Sequence, residues 1–472
     1  MAKKTNVNVK ADGMTREGGL AAPFRHPLDW ENPDFVDSKK IDAELRRVFD
    51  ICHGCRRCFN LCDVFPRLFD VIDESPSGEL DSVDSADFGH AIEACTLCDM
   101  CFMTKCPYVP PHDFNLDFPH LMLRYRAAEF QEGAVGVVPK QLARTDRNGK
   151  LARPVSGLVN RCSDRHNSTM RAAIERIAGI HRDAALPRFC GETFAAKARK
   201  EPVPVNEHAP AFGRKAVLYS TCFVNYNNPD IGLAARAVLA RNGVTTETVY
   251  PECCGMPRLE HGDIAAVAES ARKVAGELRR WIDEGYSVIA LVPSCALMLK
   301  FEWPLILPDD ENIRTLSHAT ADISEYVVDI ARTEGLAQDL SPLDGGVSLH
   351  LACHARAQNM GAKAANMLRL IPDVDLDVIE RCSGHGGSWG VMKNNFEVGL
   401  KIGKPVARRA ANARKTHVAS ECPLAGEHIA QGMERIDGDS PPVRSMHPIQ
   451  LLAMAYGIES QEMSKENGAG EK

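Results

Sequence analysis

Seventeen cysteines punctuate a chain of 472 residues, and most of them stand in runs. Cys52, Cys55, Cys58 and Cys62 follow C-x2-C-x2-C-x3-C, and Cys95, Cys98, Cys101 and Cys106 follow C-x2-C-x2-C-x4-C with Pro107 next. Three thiolates on one tight loop can reach three irons of one cubane, while the fourth, beyond a turn, points away and ligates a second cluster. The spacing predicts two [4Fe–4S] clusters with exchanged distal ligands. Cys52, Cys55, Cys58 and Cys106 would hold one, and Cys95, Cys98, Cys101 and Cys62 the other. Zinc prefers two separated C-x2-C knuckles around one ion. A third cysteine and a distal cysteine, found twice, favour iron–sulfur. Asp63 stands where a proline commonly follows the distal cysteine, and the second run has x4 for x3. Arg56, Arg57 and Lys105 put positive charge beside these cysteines, which would favour a reduced, more negative cluster.

A second constellation lies further along. Cys222, the pair Cys253-Cys254 before Gly255, and Cys295 each follow a predicted strand. Loops at the carboxyl ends of strands in an α/β sheet converge on one crevice, and four thiolates there make a soft-metal site. Cys353, Cys382 and Cys422 repeat the arrangement at offsets of 131, 129 and 127 residues, which argues for an internal duplication. The second copy has three thiols, with His350, His354 and His385 around them. Imidazole can replace thiolate on iron, and His385, in a flexible Gly-rich loop near Cys382, is the candidate fourth ligand of a labile site. A core or loop histidine is the competing reading.

The elements that position these residues follow from periodicity. Asp42–Ile51 is read as a helix running into the first cysteines, and His90–Ala94 as one leading to the second. Phe118–Phe130 repeats apolar residues at Phe118, Leu121, Met122 and Tyr125, one helix face. With Arg124 and Arg126 it could pack in the domain or lie on a membrane. From Arg214 the pattern alternates strand and helix, predicting a mainly parallel sheet. The fold class expected is α/β with an N-terminal helical, ferredoxin-type part. The divisions expected are a polar arm (1–40), a helical two-cluster domain (41–130), a connector with short helices (131–213), a first repeat (214–335), a degenerate second repeat (343–456) and a disordered tail (457–472).

Composition narrows the function. Apolar residues are 44% and charged residues 25%, as in ordinary globular chains, and a net charge of −7 argues against bulk nucleic-acid binding. No apolar run of membrane-spanning length and no secretory signal is read, so a cytoplasmic location is expected. Clustered cysteines in a reducing compartment mean metal or redox chemistry. Cys162 and Cys190, alone in the connector, are read as ordinary. No dinucleotide fingerprint is found, and Gly384–Gly390 fits neither phosphate-binding pattern, so no FAD or NAD is expected.

The segment PECCGMP around Cys253 and Cys254 resembles the motif of CCG-domain iron–sulfur oxidoreductases, the group of heterodisulfide reductase subunits and, especially, the C-subunit family of anaerobic glycerol-3-phosphate dehydrogenases. Cys106–Arg126, Val292–Met298, Ile371–Gly384 and Cys422–Gly432 carry the same resemblance. It implies an electron-transfer subunit that relays electrons from a flavoprotein dehydrogenase to a quinone or a redox-protein acceptor. It also implies a third cluster at Cys222, Cys253, Cys254 and Cys295, and contact with the inner face of the cytoplasmic membrane as one arrangement. Relatives that cleave heterodisulfides are thought to need a fifth cysteine. Met298 stands there in the first repeat, and Ser383 and Ala425 replace cysteines in the second. A heterodisulfide or thiol reductase acting at the CCG site is the rival function.

Overall fold

The computed structural model describes residues 23–436 and 444–458. The expected tail from residue 459 on and residues 1–22 of the arm lie outside the described residues.

The helical part forms where apolar residues recur at helical spacing. The helix Ser38–Cys55, capped by the Asp37 side chain, buries Ile41, Leu45, Val48 and Phe49. The helix Val64–Asp73 buries Phe65, Leu68, Phe69 and Ile72 against it. The helix Phe118–Gln131 packs on the first of these and buries far more than one face, including His120, Leu123, Ala127 and Ala128. Arg124 donates to the Phe35 and Asp34 carbonyls, and Arg126 to those of Glu260 and Ile92. Its cationic side chains are thus tied to protein, and the alternative of this helix lying on a membrane is corrected.

The expected arm is partly an integral element. Arg25 is partly buried and bonds Asp99 at 2.6 Å, Asp117 at 3.0 Å and Glu302 at 3.0 Å. One side chain near the start of the chain therefore ties the second cysteine run, the helix after it and the first repeat.

Two four-stranded parallel sheets follow. The first holds β1 (Lys215–Tyr219), β2 (Thr245–Val249), β3 (Ser287–Ala290) and β4 (Thr320–Asp322) in the order β2-β1-β3-β4. The second holds β5 (Val347–His350), β6 (Leu376–Ile379), β7 (His417–Ser420) and β8 (Ser445–Met446) in the order β6-β5-β7-β8. All six ladders are parallel. Identical strand order is what a duplication produces. The fourth strand of each sheet carries no signal in the sequence, because three and two residues are too short to show a period. β1 and β3 sit inside their sheet and are nearly continuous apolar runs, as central parallel strands covered on both faces must be. One apolar core runs from the helical part through both sheets. Among the described residues no helix is long and apolar enough to cross a membrane.

Candidate functional site

The first cysteine run sits where a helix ends. Arg56 adopts a left-handed conformation (φ 52°) and its N–H donates to the Cys52 carbonyl, so the chain leaves the helix Ser38–Cys55 in a tight turn towards Cys58. Cys106 arrives from the other run. A small cavity is lined by Cys52, Cys55, Cys58 and Cys106 together with Ile51, Phe65 and Leu116. Burial, and then the neighbouring Cys106, Cys58 and Cys55, push the Cys52 thiol up. Burial, Cys106 and Cys55 push Cys58 up to about 12, with Lys105 pulling the other way. Arg56 is committed elsewhere: its guanidinium bonds Asp73 at 3.0 Å.

The second gathering mirrors the first. Cys62 is pushed up by burial and by Cys98 and Cys95, and Cys101 by burial and by Cys98, Cys95 and Cys62. Burial takes Cys95 up to about 11. Cys58 also bears on Cys101, so the two gatherings adjoin. Thiols crowded in apolar surroundings are driven to stay protonated. A cationic group among them would reverse that, and the donor set fits one.

In the first repeat, Cys222 opens a helix at the end of β1, and Gly255 (φ 86°) turns the chain after the pair. The Cys253 and Cys222 sulfurs are 3.7 Å apart, and those of Cys254 and Cys295 3.2 Å. The Trp303 indole N–H donates to the Cys254 carbonyl at 3.1 Å, and the Tyr219 hydroxyl to the Glu252 carbonyl at 2.6 Å. Asp146, from the connector, accepts the Cys253 N–H at 2.9 Å and the Tyr250 hydroxyl. No local pattern marks Asp146, because its partners are a hundred residues away. Met298 is fully buried in a π-helical turn, Met298–Glu302.

In the second repeat, Cys353 opens a helix after β5 and lines the same cavity as Cys382 and Cys98. The neighbouring Cys353 holds Cys382 down to about 7, against its burial. Burial raises Cys422 to about 11, and Cys295 of the first repeat bears on it. The Gly-rich loop is explained by close approach: a Cβ on Gly384 (φ 76°) would meet the Gly399 carbonyl oxygen at 1.9 Å, and one on Gly403 the Ser383 carbonyl oxygen at 2.2 Å. The helix Phe396–Ala413 thus presses backbone to backbone on the loop that carries Cys382.

The histidines divide into two kinds. His350 is satisfied by the Ser420 hydroxyl (3.0 Å) and the Arg381 carbonyl (2.9 Å), and His354 by the Ser294 hydroxyl (2.8 Å). The buried Nε2 of His385 has no partner, and burial lowers this imidazole to about 3. Its ring lies 5.9 Å from that of His428, whose buried Nε2 is likewise without a partner. Nothing in the local sequence singles out His428.

The two repeats face one another across a cavity of about 1090 Å³. Cys222, Cys254 and Cys295 reach it from the first repeat, Cys353, Cys382 and Cys422 from the second, and Cys98 from the helical part. His385, His428 and Glu260 are among its polar lining, and burial raises Glu260 to about 7 against the pull of Arg126. Cys190 of the connector also lines it, while Cys162 does not. Among the described residues, no three His, Cys, Asp or Glu side chains close on a single point as ligands of one metal ion. A cluster holds its thiolates further apart than one ion does.

Residues 216–300, which contain Cys222, the Cys253-Cys254 pair and Cys295, match the CCG cysteine-rich domain family. The chain carries a CCG domain. The similarity to known proteins extends beyond this segment. The chain is 26% identical to the C-subunit of anaerobic glycerol-3-phosphate dehydrogenase from Escherichia coli over 66% of its own length and 76% of that protein's. It is 28% identical to the B-subunit of fumarate reductase (CoM/CoB) from Methanothermobacter marburgensis over 52% of its length and 47% of that protein's. It is 27% identical to lactate utilization protein A of Bacillus pumilus over 50% of its length and 98% of that protein's. Two of these three relatives are named as subunits of oxidoreductases.

Proposed function

We propose that this chain is the iron–sulfur electron-transfer subunit of a multi-subunit oxidoreductase, relaying electrons from a flavoprotein dehydrogenase, of glycerol-3-phosphate or similar type, to a quinone or another acceptor. In this reading residues 41–130 are a ferredoxin-type domain, residues 131–213 a connector, and residues 214–335 and 343–456 the two CCG repeats. Cys52, Cys55, Cys58 and Cys106 hold one [4Fe–4S] cluster and Cys62, Cys95, Cys98 and Cys101 a second. Cys222, Cys253, Cys254 and Cys295 hold a third. Cys353, Cys382 and Cys422, with His385 as the candidate fourth ligand, make a more labile site. Such clusters, when bound, take up and release single electrons. The protein's own groups hold the sulfurs, keep water from them and set how they are hydrogen-bonded. The chain works in the cytoplasm, against the inner face of the membrane where its acceptor is a quinone.

One observation carries the reading: thiols adjoin along the whole path. Cys58 bears on Cys101, and Cys98, Cys295, Cys353 and Cys422 line one cavity. The absence of any dinucleotide fingerprint in the sequence leaves hydride chemistry to a partner. The test is the anaerobically purified chain. It should hold about 12 irons, rising toward about 16 if the second repeat is filled, at four per cluster. It should accept electrons from dithionite, and should oxidise glycerol 3-phosphate only with an added flavoprotein. A colourless zinc protein, or oxidation without a flavoprotein, would sink it.

The rival is a thiol or heterodisulfide reductase, favoured by Cys353 and Cys382 side by side in the cavity wall with Cys382 held down to about 7. Turnover of a disulfide by the isolated chain, with dithionite as reductant, would select it.

A further inference from the structure

The connector has a face that the relay does not use. Residues 137–177 contain nine Lys or Arg and only three Asp or Glu, in a chain whose net charge is −7; Arg171 is buried and Arg165 pairs with Glu434, which leaves seven cations toward the surface. All three acids are engaged: Asp146 at the CCG pair, Asp164 with His166, and Glu175 with Arg182. The same segment exposes aliphatic side chains, with Val137 73%, Leu151 66%, Leu158 64% and Ile177 80% open to solvent. Arg144, Arg147, Leu151, Val155, Leu158 and Arg161 recur every three or four residues through the helical stretch Thr145–Ala152, Arg153–Val155 and Ser156–Ser163, and all six are exposed. All six thus stand on the solvent side of the segment, a stripe aliphatic in the middle and cationic at both ends. The segment's other side is the cavity wall, through Leu142, Thr145 and Asn160.

An exposed aliphatic stripe flanked by arginines suits one environment in particular. The apolar side chains enter the boundary between headgroups and acyl chains, and the cations remain among anionic headgroups. We propose that residues 137–177 dock this chain on an anionic phospholipid surface through that stripe. The cavity then lies directly behind the docked face, where a lipid-soluble acceptor would reach it without crossing bulk water. The inference deepens the relay reading by naming its membrane contact. Vesicle binding needs neither cluster nor acceptor, so a chain that binds vesicles but carries no iron would overturn the relay alone.

The test is flotation of the full chain with vesicles of phosphatidylcholine, alone or mixed with phosphatidylglycerol. Binding is expected only to the mixed vesicles and should weaken as ionic strength rises. Each surface cation removed should weaken it about fivefold, so Arg144→Gln with Arg147→Gln costs about 25-fold. Leu151→Gln with Leu158→Gln should reduce binding at low salt and abolish it at high salt. The circular dichroism and melting temperature of these exposed variants should match those of the parent. A parent chain that ignores anionic vesicles, or binds neutral ones equally well, overturns the proposal. So do stripe variants that keep vesicle binding but lose a protein partner, which would make the face an interface within the complex.

Discussion

Cys98 and Cys353 line one cavity from opposite halves of the molecule. One belongs to the second helical cysteine run and the other opens the first loop of the second repeat, so the two halves of the molecule meet at these sulfurs. Where the second-repeat site is empty, Cys353 is a neutral thiol, and Cys353→Ala replaces it with an apolar methyl. Polar surroundings stabilise the more negative, reduced state of a cluster. The centre at Cys62, Cys95, Cys98 and Cys101 should therefore become harder to reduce, while that at Cys52 stays unchanged. A spectroscopic redox titration reads both, and an unmoved midpoint in the variant counts against the assignment.

The exchanged distal cysteines predict crossed losses. Cys106→Ser should damage the centre held by Cys52, Cys55 and Cys58, and Cys62→Ser the other. Paramagnetic resonance of the two reduced variants should show different signals missing. The same signal lost in both would contradict the exchange.

The repeats should differ in iron. Cys254→Ser is expected to remove about four irons per chain, one whole cluster. Cys382→Ser should cost little in protein purified in air, because three thiols hold iron loosely. If anaerobic protein shows four equally stable clusters, and His385→Ala destroys one selectively, His385 is the fourth ligand and the labile reading fails.

The network at Arg25 sets an acid limit. Arg25→Gln leaves the buried Asp99 and Glu302 carboxylates short of their cation and should cost about 3–5 kcal/mol. Burial alone would raise Glu302, but His120 and Arg25 hold it down to about 2. A depressed carboxyl contributes stability above its unfolded value, about 4.3, that is lost as pH falls toward about 2. His120 has a raised value through Asp117 and Glu302, against burial and Arg25, so its share is lost as pH rises through that value. Unfolding midpoints across pH should fall at both ends. In His120→Gln the alkaline fall should shrink and the acid fall should begin at higher pH.

Gly403→Ala should push the Ser383 carbonyl away and displace the Cys382 loop. Overpacking of this kind costs about 1–3 kcal/mol. Thermal melting would register it, while Gly276→Ala, with nothing near its Cβ, should leave the melting temperature unchanged or higher.

Whatever is written locally is legible in the sequence. The ends of β1, β5 and β7 can be read within a residue or two, because buried parallel strands are short apolar runs bounded by turn residues. The cysteine runs announce themselves, since their spacing is their chemistry. Asp146, Arg25 and His428 are invisible for the opposite reason: each acts on residues far off in the chain, and one carboxylate, one guanidinium or one imidazole has no period. The stripe at Arg144–Arg161 does have one. It escapes notice because Pro154 and the mixed polarity around it make the segment read as a linker.

Arg25 also has a place in time. A ribosome delivers Arg25 277 residues before Glu302, so the clasp between them cannot close until the first repeat has emerged. Through that interval Arg25 can hold Asp99, beside Cys98, and Asp117, but not Glu302. The last partner to arrive locks the first cysteines in place, and the order of synthesis becomes an order of sealing.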